Sequence, residues 1–102
     1  MLTNKQRNFL RAFGNDLPPV LIIGKNGVTA SVLTQLEEAL TARELVKVRV
    51  LPHTELAVGE VAEELAGRTG AAVVLTVGHN LLLYRPPAAG TVSKLPWPEE
   101  EE

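Results

Sequence analysis

The sequence predicts an α/β protein with the element order α-β-α-β-α-β-β and a four-stranded mixed sheet. Segments with apolar residues at helical spacing alternate along the chain with short segments that are continuously apolar or strictly alternating. Such alternation is typical of helices packed on a sheet. The last two strands are separated by only three residues, which predicts an antiparallel hairpin. A length of 102 residues is that of one domain with its own core.

The first helix is predicted from Thr3 to Phe13. Thr3 and Gln6 fit the capping box, in which two residues at a helix start satisfy each other's backbone N–H groups. We expect Gly14 and Asn15 to end the helix. Its apolar stripe consists of Phe9, Leu10 and Phe13. Its opposite face is polar and basic, with Asn4, Arg7, Asn8 and Arg11.

A glycine turn, Gly24-Lys25-Asn26-Gly27, lies between a predicted strand and a second helix. The strand is the apolar run Val20–Ile23, and the helix is predicted from Thr29, as its N-cap, to Ala42. Such a turn brings backbone N–H groups and a helix N-terminus to one point, and both attract anions. Lys25 adds a mobile cation. The turn therefore predicts a phosphate site, with a nucleic-acid backbone as the natural ligand.

The glycine pattern alone leaves an ordinary turn open as the alternative, since Gly-x-x-Gly is short and glycine often only supplies a positive φ. The pattern matches neither a P-loop nor a dinucleotide-binding fingerprint. KH domains clamp an RNA backbone with a GXXG loop. That loop joins two helices, whereas this one follows a strand.

The second half of the chain continues the alternation. The residues Val46–Val50 alternate between apolar and basic, which predicts a half-buried strand. A turn at Pro52-His53-Thr54 precedes a third helix, which Thr54 is expected to cap and which Thr69-Gly70 ends. The buried stripe of that helix is Val58, Val61, Ala62 and Leu65. The last two strands are predicted at Ala71–Val77 and Leu81–Tyr84.

We expect one domain over residues 1–87, followed by an irregular, proline-containing extension over residues 88–102 with a disordered acidic end. Pro86-Pro87 ends the regular pattern, and Leu95 and Trp97 are expected to dock onto the domain.

The charge distribution favours a basic N-terminal half. The chain carries 10 basic and 12 acidic residues, but four of the acids form the terminal run Glu99–Glu102. Up to Arg49, seven basic residues stand against four acids. This pattern predicts a local basic patch rather than a protein that coats nucleic acid through charge alone.

Basic residues on three predicted elements are candidates to extend the phosphate site. Arg7 and Arg11 lie on the first helix, Lys47 and Arg49 on the second strand, and Arg85 at the end of the last strand. Ordinary solvated charge is the alternative for each of them. It stays open because the sequence does not show whether they converge.

The sequence shows no residue pattern typical of a metal site or a catalytic site. There are no cysteines, and His53 and His79 do not have the spacing of metal ligands. No nucleophile–base arrangement is visible. We therefore expect no metal site, and the residues offer no candidate catalytic group. The sequence has no apolar run of the roughly 18–20 residues that a spanning helix needs, and its start is not a secretory signal, so we expect a cytoplasmic protein without membrane contact.

Four blocks between Leu2 and Pro86 occur in an order and spacing shared with a known family. They are Leu2-Thr3…Lys5-Gln6-Arg7…Leu10-Arg11, Leu17…Pro19-Val20…Ile23-Gly24-Lys25-Asn26-Gly27-Val28-Thr29, Glu44-Leu45-Val46-Lys47-Val48 and Leu82-Leu83-Tyr84-Arg85-Pro86. They resemble the YhbY-like proteins, which are stand-alone bacterial CRM domains (chloroplast RNA splicing and ribosome maturation). Together the blocks are far more specific than the glycine turn alone.

The resemblance implies a fold similar to the C-terminal domain of bacterial translation initiation factor three. It also implies RNA binding, association with ribosomal RNA in precursors of the large ribosomal subunit, no catalysis and no cofactor. The RNA-binding residues that it implies are Gly24, Lys25, Asn26, Gly27, Thr29, Lys5, Arg7, Arg11, Lys47 and Arg85. Pro18 and His79 stand where many relatives carry a basic residue, so each lowers the positive charge here.

The residues and the resemblance together predict a ribosome assembly factor that binds RNA through the GxxG loop and a basic face that includes Arg49. Two alternatives stay open. One is a protein-interaction module that uses the acidic third helix and tail to bind ribosomal proteins. The other is a small enzyme that binds a phosphorylated metabolite at the glycine turn.

Overall fold

The computed structural model of the protein describes residues 2–52 and 57–98. Within these ranges the chain forms helices and strands in the predicted order, and the four-stranded mixed sheet is confirmed. The elements are α1 (Asn4–Asn15), β1 (Leu21–Ile23), α2 (Ala30–Arg43), β2 (Leu45–Val50), α3 (Val58–Thr69), β3 (Ala72–Val77) and β4 (Asn80–Tyr84).

The sheet has the strand order β1-β2-β4-β3. β1 and β2 are parallel, while β4 is antiparallel to both of its neighbours. The glycine turn follows Ile23, which pairs with Val50, and the neighbouring β2 residue Arg49 pairs with Asn80. We call this end of the sheet, where β1 and β2 end and β4 begins, the loop end. The opposite end carries Leu45 paired with Tyr84.

The two faces of the sheet are covered by different helices. α2 and α3 pack on one face, and α1 packs on the other, which we call the α1 face. The strand residues buried under α2 and α3 include Ile23, Val46, Val48, Val50, Leu81 and Leu83. Those buried on the α1 face are Leu45, Val74, Leu82 and Tyr84. Alternation along β2 therefore leaves Lys47 and Arg49 on the α1 face.

Helix α1 begins as predicted. The Thr3 side chain accepts the Gln6 N–H at 3.1 Å, and the Gln6 side chain accepts the Thr3 N–H at 2.8 Å, so the capping box is confirmed. The helix ends at Asn15, one of the two residues predicted to end it, and Gly14 is still part of the helix. Gly14 also permits close packing, since a Cβ there would lie 2.6 Å from Leu82 Cδ1.

The ends of the other helices follow local signals. Thr29 is the N-cap of α2, as predicted. α3 begins after Ala57, which makes no side-chain capping bond, and the predicted cap Thr54 lies outside the described residues. Gly70 ends α3 with a left-handed φ of 75°, as the sequence indicated. No described helix is long and apolar enough to cross a membrane.

The chain after β4 crosses the α1 face without forming a helix or strand up to Pro98. Leu95 and Trp97 pack against the buried cluster of this face. The Trp97 ring lies 5.0 Å from the Phe9 ring and 5.6 Å from the Tyr84 ring, measured between centroids. The acidic end predicted to be disordered lies outside the described residues.

Candidate nucleic-acid interface

The glycine turn is a compact β-turn that presents its two central side chains to solvent. The Gly27 N–H donates to the Gly24 carbonyl at 3.0 Å, which closes the turn. Lys25 and Asn26 occupy the central positions, and both are exposed. Gly27 has a φ of 67°, in the region that favours glycine. The turn therefore holds Lys25 at a projecting tip.

Gly24 differs from Gly27 in that the fold does not require a glycine there. Its φ is not positive, and a Cβ built on it would meet no atom within 4 Å. The open space on this side of the backbone lets a ligand approach the main chain closely.

The N-terminus of α2 lies directly after the turn. Thr29 Oγ1 accepts the Val32 N–H at 3.1 Å, and the Thr29 carbonyl accepts the Leu33 N–H at 3.0 Å. Thr29 thus acts as the helix cap. The N–H groups of Ala30 and Ser31 are first-turn donors that an α-helix does not satisfy internally. Together with the positive end of the helix dipole they favour an anion beside the turn.

The cations of β2 lie next to this turn. Arg49 pairs with Ile22, two residues before Gly24, and it is exposed. Lys47 is half-buried, and its Nζ donates to the Asn15 carbonyl at the end of α1 at 3.4 Å. The sheet therefore brings Arg49 beside the start of the glycine turn, with Lys47 one step behind it on the same face.

The cations of α1 are spread along the helix. Arg7 Nη1 donates to the Val73 carbonyl of β3 at 3.4 Å, and Arg11 lies exposed one helical turn further towards the loop end. Lys5 lies at the other end of α1, where it borders a cleft with Trp97 and Pro98. Arg11 thus extends the basic surface of the α1 face, whereas Lys5 stands apart from the turn.

Arg85 is not brought to the glycine turn. It follows Tyr84 at the opposite end of the sheet, about 17 Å of strand away from Asn80. Its guanidinium donates to Glu37 Oε2 at 2.8 Å and to the Thr69 carbonyl at 3.0 Å. A further bond of 3.1 Å reaches Thr41 Oγ1. These bonds tie β4 to α2 and α3.

Glu44 is a residue that the sequence reasoning did not single out. It is only 2% exposed, and its backbone has a φ of 67° and a ψ of −51°, a strained conformation for a residue with a side chain. Its carboxylate accepts the Ser93 hydroxyl and the Lys94 N–H, both at 2.6 Å. The Ser93 Oγ in turn accepts the Trp97 Nε1–H at 2.8 Å. Glu44 thereby holds the C-terminal segment on the domain. In the sequence, an acid between a helix and a strand gives no sign of this burial.

The Tyr84 phenol lies beside this network. The side chain is 8% exposed, and burial raises its pKa above the ordinary value of 10.0, with the negative charge of Glu44 adding in the same direction. A pKa that is higher in the folded state than in the unfolded chain makes ionisation unfavourable for folding. The associated stability is fully present below pH 10 and is lost as the pH rises through the folded pKa.

We therefore expect the free energy of unfolding to fall at alkaline pH. Tyr84 is the only tyrosine of the chain, so phenolate absorbance reports its ionisation directly. The native protein should titrate at a higher pH than the chain in concentrated urea, and Tyr84→Phe should remove part of the alkaline loss of stability. Identical titration curves for the native and unfolded chains would contradict this assignment.

Among the described residues, no group of three or more His, Cys, Asp or Glu residues is arranged to hold a metal ion. What the loop end offers is a projecting lysine, backbone N–H donors and a neighbouring arginine, an arrangement suited to anionic groups carried on an extended ligand.

Residues 2–85 match the CRS1 / YhbY (CRM) domain family, and the chain belongs to this family. The predicted family is thereby confirmed. The chain is 42% identical over 85 residues to the "Probable RNA-binding protein YqeI" of Bacillus subtilis (strain 168). This alignment covers 83% of this chain and 88% of that protein. It is 40% identical over 85 residues to a protein of Haemophilus influenzae named "RNA-binding protein", and this alignment covers 83% of this chain and 86% of that protein.

A solved structure shares the fold. The solution structure of SAV1595 from Staphylococcus aureus aligns with a TM-score of 0.76 at 33% sequence identity. The alignment covers 94% of this chain and all of that one.

Proposed function

We propose that this protein binds RNA through the glycine turn and the basic residues that flank it. The observation that carries the proposal is the convergence at the loop end of the sheet: Lys25 at the tip, the α2 N-terminus behind it, and Arg49 beside it through the β1–β2 register. The names of the Bacillus and Haemophilus relatives support RNA as the ligand.

The turn would hold one backbone phosphate. N–H groups in the first turn of α2 donate to the phosphate oxygens, and Lys25 supplies a full charge. Room for a Cβ at Gly24 is room for that phosphate to approach the main chain. Asn26 of the turn and the hydroxyl of the helix cap Thr29 are further hydrogen-bonding groups near this phosphate.

The α1 face would hold the neighbouring backbone. Arg49, Lys47 and Arg11 extend from the turn across this face, and Arg7 continues the line along α1. Each phosphate that they neutralise releases counterions, so affinity should fall steeply with salt. Arg85 and Lys5 lie outside this surface, and we assign Arg85 a structural role in joining β4 to α2 and α3.

Ribosomal RNA in precursors of the large subunit is the target that we propose, on the basis of the family resemblance. The protein would act there without catalysis or a cofactor, as a cytoplasmic assembly factor. An interaction with ribosomal proteins through α3 and the acidic tail is the competing hypothesis, and RNase sensitivity separates the two.

Sedimentation through a sucrose gradient tests this target. A native lysate that contains the tagged protein is divided, and one half is treated with RNase under conditions that leave ribosomal proteins intact. We expect the protein to migrate with large-subunit precursors and to move to the top of the gradient after RNase treatment. Migration with particles that survives RNase would favour the protein-interaction hypothesis. Migration only at the top in both halves would contradict the large-subunit target.

A further inference from the structure

A row of four side chains crosses the loop end of the sheet on the α1 face. Ile22 of β1 pairs with Arg49 of β2, Arg49 pairs with Asn80 of β4, and Asn80 pairs with Val77 of β3. Residues that pair across neighbouring strands point to the same face of a sheet. We call these four residues the open row.

The open row is uncovered although it lies on a sheet face. Ile22 is 55% exposed and Val77 is 58% exposed, and Arg49 and Asn80 are exposed as well. Helix α1 covers the rest of this face but ends at Asn15. Gly14 and Asn15 border a cleft whose other side is formed by Val77, Asn80 and Lys47. The row is therefore a solvent-exposed strip of the sheet beside the end of α1.

Three of the four side chains of the open row are uncharged, so phosphate binding by Arg49 does not account for the whole row. Two aliphatic side chains at its ends offer apolar contact, which a phosphate does not use. The Arg49 guanidinium is planar and stacks on aromatic rings, and the Asn80 amide carries both donors and acceptors. Such groups suit nucleobases, which have an apolar face and a polar edge.

The open row is also continuous with the glycine turn. Ile22 is separated from Gly24 by one residue, so a strand of RNA held at the turn has its next nucleotides above the row. Four strands at a spacing of about 4.8 Å make the row about 14 Å long. Other RNA-binding proteins place two or three bases on a four-stranded sheet of this size.

We infer that the open row is a platform for the unpaired bases of a single-stranded RNA segment whose backbone the glycine turn holds. This inference rests on the proposed RNA-binding function and adds the form of the RNA: an exposed loop, bulge or end rather than a continuous duplex. In a duplex the base faces are stacked on one another and cannot reach the aliphatic side chains of the row.

Binding of two RNAs by matched variants tests this inference. The RNAs are an unstructured single-stranded oligonucleotide and a perfect duplex of the same length, and the dissociation constant is measured at several salt concentrations. The test variant combines Ile22→Thr with Val77→Thr, which keeps the charge and the β-branched shape. The control is Val92→Thr, at a residue that is 83% exposed on the C-terminal segment. A separate variant, Ile22→Phe, adds a ring to the row.

We expect the wild type to prefer the single strand. The double variant should weaken binding of the single strand on the order of tenfold and leave its salt dependence unchanged, because no cation is lost. Val92→Thr should bind like the wild type. Ile22→Phe should tighten binding of the single strand but not of the duplex, because an aromatic ring stacks on a base.

Other results would overturn the inference. One is equal affinity of the wild type for both RNAs, and the other is a double variant that binds the single strand like the wild type. If RNA binding itself is intact in these experiments, the proposed function still stands. A wild type that binds neither RNA would remove the proposed function together with the inference.

Discussion

Replacing Glu44 with Gln should release the C-terminal segment from the domain and lower the free energy of unfolding by about 1.5–3 kcal/mol, the usual contribution of a hydrogen bond to a charged group. The two residues have nearly the same shape, and both keep the strained backbone of position 44. Strain therefore cancels in the comparison, and the loss reflects the side-chain hydrogen bonds alone.

The glutamine side chain cannot replace the carboxylate because its amide has one oxygen that accepts hydrogen bonds and one NH₂ group that donates them. Both carboxylate oxygens of Glu44 accept hydrogen bonds, one from Ser93 Oγ and one from the Lys94 N–H. In Gln, one oxygen is replaced by an NH₂ group that only donates. If the NH₂ group faced Lys94, it would meet the Lys94 N–H, which is also a donor. If it faced Ser93, it would meet an oxygen that already accepts from the Leu95 N–H at 3.3 Å and from Trp97 Nε1 at 2.8 Å.

Trp97 provides the measurement because it is the only tryptophan of the chain. In Glu44→Gln we expect its fluorescence to shift to longer wavelength in native buffer, as the ring leaves Phe9 and Tyr84, and the urea midpoint to fall. Glu38→Gln is the matched control, since it removes the same charge at an exposed position of α2. Native fluorescence and an unchanged urea midpoint in Glu44→Gln would show that the carboxylate does not hold the segment.

Replacing Lys25 with Ala should weaken RNA binding and flatten its salt dependence. A lysine that contacts one phosphate contributes about 0.7–1 to the slope of log K against log salt. The loss should be similar for RNAs of different sequence, because a phosphate contact does not distinguish bases. Lys25 is exposed at the tip of a turn that main-chain atoms close, so the fold should be unaffected.

Arg68→Ala is the control for this experiment. It changes the net charge by the same amount, but Arg68 lies in the last turn of α3, on the other face of the sheet, in an exposed ion pair of 3.8 Å with Glu64. We expect Arg68→Ala to bind RNA with the wild-type salt dependence. Equal flattening in both variants would mean that only net charge matters, and an unchanged slope in Lys25→Ala would remove Lys25 from the site.

Local signals were enough to predict most of the fold. The capping box at Thr3 and Gln6, the alternation in β2 and the glycine after α3 each depend on residues close in sequence, and the structure confirms them. Gly14 has a second role that local signals do not reveal. It lies near the end of α1, as predicted, but it also permits close contact with Leu82, a residue 68 positions away.

The candidate site also contains some features that the sequence predicted and some that it did not. The turn Gly24–Gly27 was predicted from neighbouring residues, whereas Arg49 comes beside it only through the pairing of β1 with β2, which the sequence did not show. Arg85 and Glu44 have partners in distant segments, Glu37 for the first and Ser93 for the second. A charged residue looks the same in a sequence whether it faces solvent or a buried partner, so neither role could be predicted.

The most direct test of RNA binding at the loop end is an NMR titration of the backbone amides with single-stranded RNA. We predict that the largest shift changes fall on residues 24–31, on Arg49 and on the hairpin around Asn80, while α3 and the C-terminal segment change little. Changes confined to α3 and the acidic tail, or no changes at RNA concentrations that saturate related proteins, would contradict the account.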